Sequence, residues 1–189
     1  MAWIVLAFDG EDAEAPGRRA AARDRHIALI TRMAEDGRLA LGVPLRERDD
    51  RTAGSLMVLS GDAQSDLDAY LAEEPFAREG VWTRIDAMPG RIAPLPYRPL
   101  PGPGTPMPTA RTHTVVLAMD GTDDTAVERR MAVRPAHIAR ARPAAERGEL
   151  TFGCAVLDAP DGRMIGSVAV TAHATDAAAR AFWNDDPYV

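Results

Sequence analysis

Lysine is absent from this chain of 189 residues, in which all 22 basic residues are arginine. The guanidinium of arginine stays protonated and is a poor nucleophile. Schiff-base chemistry, pyridoxal phosphate attachment and a phosphate-loop lysine are therefore excluded. Cysteine occurs once, at Cys154, which permits no internal disulfide.

Long apolar runs are missing as well. No stretch of about 18 apolar residues occurs, which excludes a membrane-spanning helix on length. The apolar start at Met1–Phe8 is too short for a signal peptide and lacks its charged leader, so we expect a cytoplasmic protein. The net charge of −6 gives no broad attraction to phosphate backbones or anionic lipid, so neither nucleic acid nor a membrane is an expected partner.

Cofactor and metal motifs are also lacking. The sequence has no H-x-x-x-H, no C-x-x-C and no G-x-G-x-x-G after a strand. A metal site and a nucleotide site therefore have no support, and we expect no cofactor. Proton transfer is the chemistry that the remaining residues favour.

An internal repeat dominates what is present. The segment WIVLAFDG at residues 3–10 recurs as TVVLAMDG at residues 114–121, so that Asp9 aligns with Asp120 at an offset of 111. At the same offset the histidine of RDRHIA aligns with the histidine of RPAHIA. After a one-residue insertion the offset becomes 112, and it aligns Gly-Ser with Gly-Ser and EEPF with DDPY. Similarity at a near-constant offset indicates two copies of one unit.

The repeat predicts a three-part organisation. We assign residues 1–93 to the first copy, 94–110 to a linker and 111–189 to the second copy. Residues 94–109 hold seven prolines in sixteen residues, a composition that favours an extended, semi-rigid spacer reaching roughly 50 Å. That reach allows the second copy to pack back against the first.

Within a copy, the pattern predicts strand, helix, strand, strand, helix and strand. In the first copy these are residues 3–8, 18–35, 39–45, 55–59, 63–73 and 80–87. This order predicts an α+β fold of ferredoxin-like type with helices on one face of a sheet. The second copy stops at Asp186-Pro187-Tyr188-Val189, where the first still has a strand to come. We therefore expect a missing strand, with that edge covered from elsewhere, unless the sequence is cut.

Five features recur in order in both copies. They are an apolar first strand ending in Asp, R-x-x-H on the first helix, a glycine with Leu two positions on before strand two, G-S before strand three and an acidic residue followed by Pro and an aromatic residue after helix two. This set resembles the YCII-related family. The resemblance implies ferredoxin-like repeats that pair into a dimeric α+β barrel, here an intramolecular pseudo-dimeric barrel in a monomer, or a homodimer.

The resemblance also implies an active site formed by a His–Asp pair, which falls on His137 and Asp186. The first copy matches at His26 but has Glu74 in place of the aspartate. We expect its pair to be less well matched, because the glutamate is one methylene longer. One branch of the family is similar to dehydrochlorinases of chlorinated hydroxyquinols.

The residues themselves support acid–base chemistry at these histidines. Histidine works as a base or acid near neutral pH, and a nearby carboxylate can orient its ring. His26 shares a helix face with Leu29, Ile30 and Met33, so it points to the core or to a pocket. A hydrogen-bonded core histidine is the alternative to a catalytic one.

Four further polar residues are candidates for substrate binding. Asp9 and Asp120 end the first strands ahead of glycine, where a side-chain turn cap is the alternative role. Ser55 and Ser167 follow glycine at a strand start, where turn chemistry is the alternative, and no G-x-S-x-G supports a nucleophile.

Two functions remain open at this stage. The first is a cofactor-free lyase or isomerase that acts on a small organic molecule, in which a His–carboxylate pair moves protons for elimination, dehydration or cyclisation. The second is a ligand-binding or scaffold protein that keeps the fold and uses the pair only for polar packing. A pocket reached by both groups of the pair would favour the first.

Overall fold

The structure, a computed structural model, describes residues 1–47, 49–102, 105–106, 108 and 110–189. The chain forms two compact units. Unit 1 is built from Met1–Gly90, and unit 2 from Arg91–Gly102 and Pro106–Val189.

Unit 1 is an antiparallel sheet with helices packed on it. Its strand order is β2-β3-β1-β4, and β1 pairs with both β3 and β4. The elements are β1 (Ala2–Asp9), α1 (Ala15–Glu35), β2 (Leu39–Arg46), β3 (Thr52–Ser60), α2 (Gln64–Glu73), α3 (Pro75–Arg78) and β4 (Trp82–Ile92), of which β4 ends in unit 2.

Helix α1 forms where the sequence predicts it, because its apolar residues share one face. Ala22, His26, Leu29 and Met33 are its buried central positions, spaced by three or four residues. Pro16 stands in its first turn, and Gly37 follows its end with φ of 75°. Proline suits a helix start and glycine a left-handed stop, so both ends are specified locally.

The core of unit 1 lies between this helix face and the sheet. Trp3, Val5 and Ala7 alternate along β1 and face the helices, while the ring nitrogen of Trp3 donates to the Ala63 carbonyl at 3.1 Å. Phe76 and Trp82 belong to the same cluster. The start of helix α2 is thereby tied to β1.

Unit 2 repeats this order as far as its second helix. Its strand order is β6-β7-β5, and β7 pairs with both β6 and β5. The elements are β5 (Thr114–Met119), α4 (Ala126–Arg147), β6 (Leu150–Leu157), β7 (Met164–Thr171) and α5 (Asp176–Trp183). After α5 the described residues form no further strand.

The first part of the proline-rich segment packs into unit 2. The Ala93 N–H donates to the Gly153 carbonyl at 2.9 Å, and the Arg98 guanidinium donates to the Glu146 carbonyl at 3.0 Å. Leu95 and Tyr97 pack against the core cluster of this unit. Residues 94–102 thus bury side chains as well as connecting the copies, while Pro103, Gly104, Met107 and Thr109 of the predicted linker lie outside the described residues.

No helix among the described residues has both the length and the apolar character to cross a membrane.

The glycine of each G-S pair allows two strands to approach closely. A Cβ atom on Gly54 would collide with the Ala7 carbonyl oxygen, and one on Gly166 would lie 2.6 Å from the Ala118 carbonyl oxygen. Both contacts are with backbone, so neither can be relieved by a side-chain rotation. This sterically explains why both copies have glycine at this position, two residues into the third strand rather than ahead of it as predicted.

We predict that Gly54→Ala lowers the free energy of unfolding by about 1–3 kcal/mol, in the range for overpacking a well-packed site. The matched control is Gly17→Ala in α1, where a Cβ meets nothing within 4 Å and should raise stability by up to about 1 kcal/mol. Urea unfolding of both variants measures the difference. Equal effects of the two substitutions would contradict the steric explanation.

Candidate functional site

His137 and Asp186 meet in unit 2. Helix α4 carries the histidine, and the turn that follows α5 carries the aspartate. The Nδ1 atom of His137 lies 2.8 Å from Oδ1 of Asp186, which confirms the predicted contact. The same oxygen accepts the Tyr188 N–H at 3.0 Å, and Oδ2 accepts from the Arg140 guanidinium at 3.3 Å. The Asp186 side chain is fully buried yet has three donors.

These donors keep Asp186 ionised. Burial alone would raise the pKa of its carboxyl, but the hydrogen bonds from His137 and Tyr188 and the charge of Arg140 together hold that pKa below its ordinary value. An ionised carboxylate only accepts hydrogen bonds, so Nδ1 of His137 carries the proton that it donates. The lone pair of the neutral ring is then on Nε2, the nitrogen that can act as a base.

Aromatic rings hold the imidazole in place. The Tyr188 ring stacks on His137 with centroids 3.9 Å apart and an interplanar angle of 17°. The Trp183 ring lies nearly parallel to the imidazole at 6.3 Å. Both residues flank Asp186 in sequence, so one short segment supplies the carboxylate and the stacking rings.

Unit 1 contains the same arrangement. Nδ1 of His26 lies 2.8 Å from Oε1 of Glu74, which also accepts the Phe76 N–H at 3.0 Å, and Phe76 stacks on His26 at 4.0 Å. The prediction that this pair is less well matched is wrong. Glu74 caps the short helix α3, and its carboxylate turns back to accept the N–H two residues on, as Asp186 does. Because of this turn, the extra methylene of Glu74 does not lengthen the histidine–carboxylate distance, which is 2.8 Å in both units.

The two pairs differ in their surroundings. The His26 side chain is 7% exposed and has the Trp82 ring of β4 edge-on at 6.2 Å, whereas the His137 side chain is 16% exposed. Arg140 aligns with Leu29, so unit 1 has no guanidinium at that place. Oε2 of Glu74 is buried and has no hydrogen-bond partner among the described residues.

Each predicted substrate-binding aspartate and serine is held by an arginine. In unit 1, Arg19 donates to Asp9 at 2.7 and 2.9 Å and to the Ser55 hydroxyl at 3.2 Å. Burial raises the pKa of the Asp9 carboxyl in spite of this partner, and burial lowers the pKa of the Arg19 guanidinium.

Unit 2 repeats the contact. Arg130 donates to Asp120 at 2.6 Å and to the Ser167 hydroxyl at 2.7 Å, so the described partners of both aspartates are arginines and not turn N–H groups. The two arginines were not among the residues predicted from the sequence. Arg19 and Arg130 share the 111-residue offset of the repeat, and this is the signal that identifies them.

The arginine also contacts the ring that stacks on the histidine. The Arg130 guanidinium lies 4.3 Å from the centre of the Tyr188 ring, and Arg19 lies 4.5 Å from that of Phe76. Cation–π contact adds about 0.5–2 kcal/mol where water is partly excluded. The aspartate, arginine, aromatic ring, histidine and carboxylate therefore form one continuous network in each unit.

Unit 2 has a cavity of about 640 Å³ beside this network. Asp120, His137, Ser167 and Asp186 all line it, so the four residues predicted for the second copy are brought to one cavity. Most of its surface is apolar, and the volume is in the range of small-molecule sites. Its other lining side chains include Ile92, Leu95, Tyr97, Arg130, Arg134, Cys154, Val168, Trp183 and Tyr188.

Cys154 is buried, and the described residues form no cluster of metal-ligating side chains. Burial raises the pKa of the Cys154 thiol to about 12, which keeps it protonated and a poor nucleophile. No group of three or more His, Cys, Asp or Glu side chains in the described part of the chain could hold a metal ion.

A family model matches the first repeat of the chain. Residues 1–89 match the model of the YCII-related domain. No curated protein matches the chain.

Solved structures match nearly the whole chain at low identity. A proposed monooxygenase from Fusobacterium nucleatum is 8% identical with a TM-score of 0.60, and another from Lactobacillus acidophilus is 12% identical with a TM-score of 0.56; each match covers 99% of this chain and 82% of the other. A heme-binding protein from Thermus thermophilus is 15% identical with a TM-score of 0.55, covering 97% of this chain and 81% of the other. The likeness concerns the fold, and it confirms the predicted α+β class of ferredoxin-like repeats.

We predict that the two histidines differ in their effect on stability. His26→Ala leaves the buried Glu74 carboxylate without its histidine and should cost about 3–5 kcal/mol. His137→Ala leaves Asp186 with Arg140 and the Tyr188 N–H, and should cost about 1 kcal/mol. Thermal unfolding of both variants measures this. An equal or larger loss for His137→Ala would contradict the contrast.

The lowered pKa of Asp186 predicts an acid-side loss of stability. The unfolded chain binds a proton at this carboxyl at a higher pH than the folded chain, so the stabilisation is complete above the ordinary value of 3.8 and is lost as pH falls through the folded pKa. Asp186→Asn removes the titrating group. Its unfolding free energy should fall less steeply than that of the wild type between about pH 5 and pH 2. Parallel pH curves from urea unfolding would contradict the assignment.

Proposed function

We propose that unit 2 is a cofactor-free lyase or isomerase for a small organic molecule, in a chain whose first repeat matches the YCII-related domain. The observation that carries the proposal is His137, which lines the cavity and has its Nδ1 atom bound to the buried Asp186 carboxylate. Nε2 has no hydrogen-bond partner among the described residues and is left for the substrate.

Proton abstraction at carbon is the step that this geometry supports. Nε2 of His137 takes a proton from an acidic C–H group of the substrate, and the electrons of that bond form a C=C bond. In an elimination the leaving group departs with its electron pair; in an isomerisation the imidazolium returns the proton to another carbon. Asp186 stabilises the imidazolium that forms, and general-base catalysis of this kind contributes about 10² to 10⁴-fold.

Arg130 is a positioning residue in this proposal. It is tied to Asp120 and Ser167 and contacts the Tyr188 ring, so it fixes the ring that stacks on His137. Asp120 and Ser167 support substrate binding through this arginine. The pair in unit 1 has the same hydrogen bond, but its histidine is enclosed by Phe76 and Trp82, so we assign the reaction to unit 2.

A non-catalytic ligand-binding protein is the second candidate. The cavity favours it as much as it favours an enzyme, since a mostly apolar site of this size binds small molecules without any reaction. The two functions differ in whether His137 takes a proton from the bound molecule.

We predict that the protein accelerates the base-catalysed ring opening of a nitrobenzisoxazole. This neutral, flat probe loses a C–H proton as its N–O bond breaks, and the coloured cyanonitrophenolate product reports a base in an apolar cavity. His137→Ala should lower kcat/KM by about 10²-fold or more, whereas His26→Ala, tested below its lower melting temperature, should keep the rate. Asp186→Asn should also lose rate, because the amide does not fix the tautomer or stabilise the cation.

Equal rates for the wild type and His137→Ala would contradict the proposal that unit 2 is an enzyme with His137 as its base. Binding of the intact probe without ring opening would then favour the ligand-binding protein.

A further inference from the structure

The charged residues that line the cavity of unit 2 are mostly paired. Arg91, Arg129, Arg130 and Arg134 line it, together with Asp120 and Asp186. Arg130 pairs with Asp120 at 2.6 Å and Arg129 with Asp123 at 2.7 Å, and both are charge-balanced. Arg91 lies 4.0 Å from Asp161.

Arg134 is different from these three. It is half-buried, lines the cavity and has no ion-pair partner or hydrogen-bond partner among the described residues. It lies one helical turn from His137 on α4 and four residues from Arg130, so the three side chains project from neighbouring positions of one helix face. The base of the proposed reaction therefore has an uncompensated positive charge beside it.

Donors outnumber free acceptors at this end of the cavity. The hydroxyl of Tyr188 has no hydrogen-bond partner among the described residues, and burial raises its pKa, so it keeps its proton and can donate. Arg134 and Arg130 are close enough to this hydroxyl to act against that rise. The carboxylate oxygens of Asp186 already accept from His137, Tyr188 and Arg140. A molecule bound here would have to bring acceptor oxygens.

The rest of the cavity sets the character of the ligand body. Leu95, Tyr97, Val168 and Trp183 line it, and its surface is mostly apolar. A single unpaired guanidinium beside such a surface suits a monoanion with a hydrocarbon body. A phosphate would place about two negative charges against one free cation and few polar partners.

We propose that the substrate of unit 2 is a small unsaturated or aromatic carboxylate. Its carboxylate binds Arg134 with the Tyr188 hydroxyl, and its apolar body lies against Trp183 and Leu95. Residues one turn apart on a helix have Cβ atoms about 5–6 Å apart, so the acidic C–H group that reaches His137 lies a few bonds from the carboxylate. This substrate class rests on the proposed function, because it takes His137 as the base.

Benzoate and benzamide are matched probes, since they share ring and shape and differ in charge. Titration calorimetry at low ionic strength should show benzoate binding at least about ten-fold more tightly than benzamide, because a charge-assisted contact replaces a neutral one. Arg134→Gln should abolish this preference while benzamide affinity changes little. The control is Arg23→Gln, the aligned and exposed position in unit 1, which should keep the preference. Salt should weaken benzoate binding and leave benzamide binding unchanged.

Equal affinities for the two probes, no measurable benzoate binding, or a benzoate preference that survives Arg134→Gln would each overturn the proposal. Turnover of the neutral nitrobenzisoxazole separates this result from the proposed function. If the wild type turns over the nitrobenzisoxazole through His137, and Arg134→Gln loses the benzoate preference, both proposals stand. If the turnover depends on His137 but no benzoate preference exists, only the substrate class fails. If benzoate is preferred and no turnover is found, the anion site stands and the enzyme does not.

Discussion

The hydrogen bond between a helix histidine and a buried carboxylate is the interaction on which each unit depends. The carboxylate is fully buried in both copies, so it must be satisfied by donors or cost several kcal/mol. It accepts hydrogen bonds from the imidazole and from the backbone N–H of the residue two positions later in the chain. These bonds fix the turn after the second helix and place an aromatic ring on the histidine. Packing and site geometry thus have the same cause.

The arginine of the first helix extends this constraint to the sheet. Arg19 and Arg130 join the end of the first strand to the start of the third and contact the aromatic ring, so helix, strands and turn are held in one network. A buried arginine pair contributes geometry more than net stability, because desolvation offsets much of its Coulomb energy. The network therefore keeps the histidine ring oriented.

The same network has different surroundings in the two copies. In unit 1, Trp82 of β4 packs on the histidine and belongs to the core cluster. In unit 2 the corresponding histidine lines a cavity, and Arg140 forms an ion pair with the Asp186 carboxylate. The aligned residue of unit 1 is Leu29, which has no charge to pair with Glu74. One sequence pattern therefore gives a packed histidine in one unit and an accessible histidine in the other.

The repeat and the element order could be predicted from the sequence, because local periodicity, glycine and proline at helix ends and residue identities at a constant offset are all properties of the chain itself. The contact of His137 with Asp186 was predicted through the resemblance to the YCII-related family. Three features became visible only in the tertiary structure. They are the equal distances in the two His–carboxylate pairs, the cavity, and the arginine contacts to Asp9, Asp120, Ser55 and Ser167. Whether the extra methylene of Glu74 changes its distance to His26 depends on the conformation of the turn around Glu74. Whether a cavity forms depends on which side chains cover a helix face. Those are contacts between residues distant in sequence, so no local pattern records them.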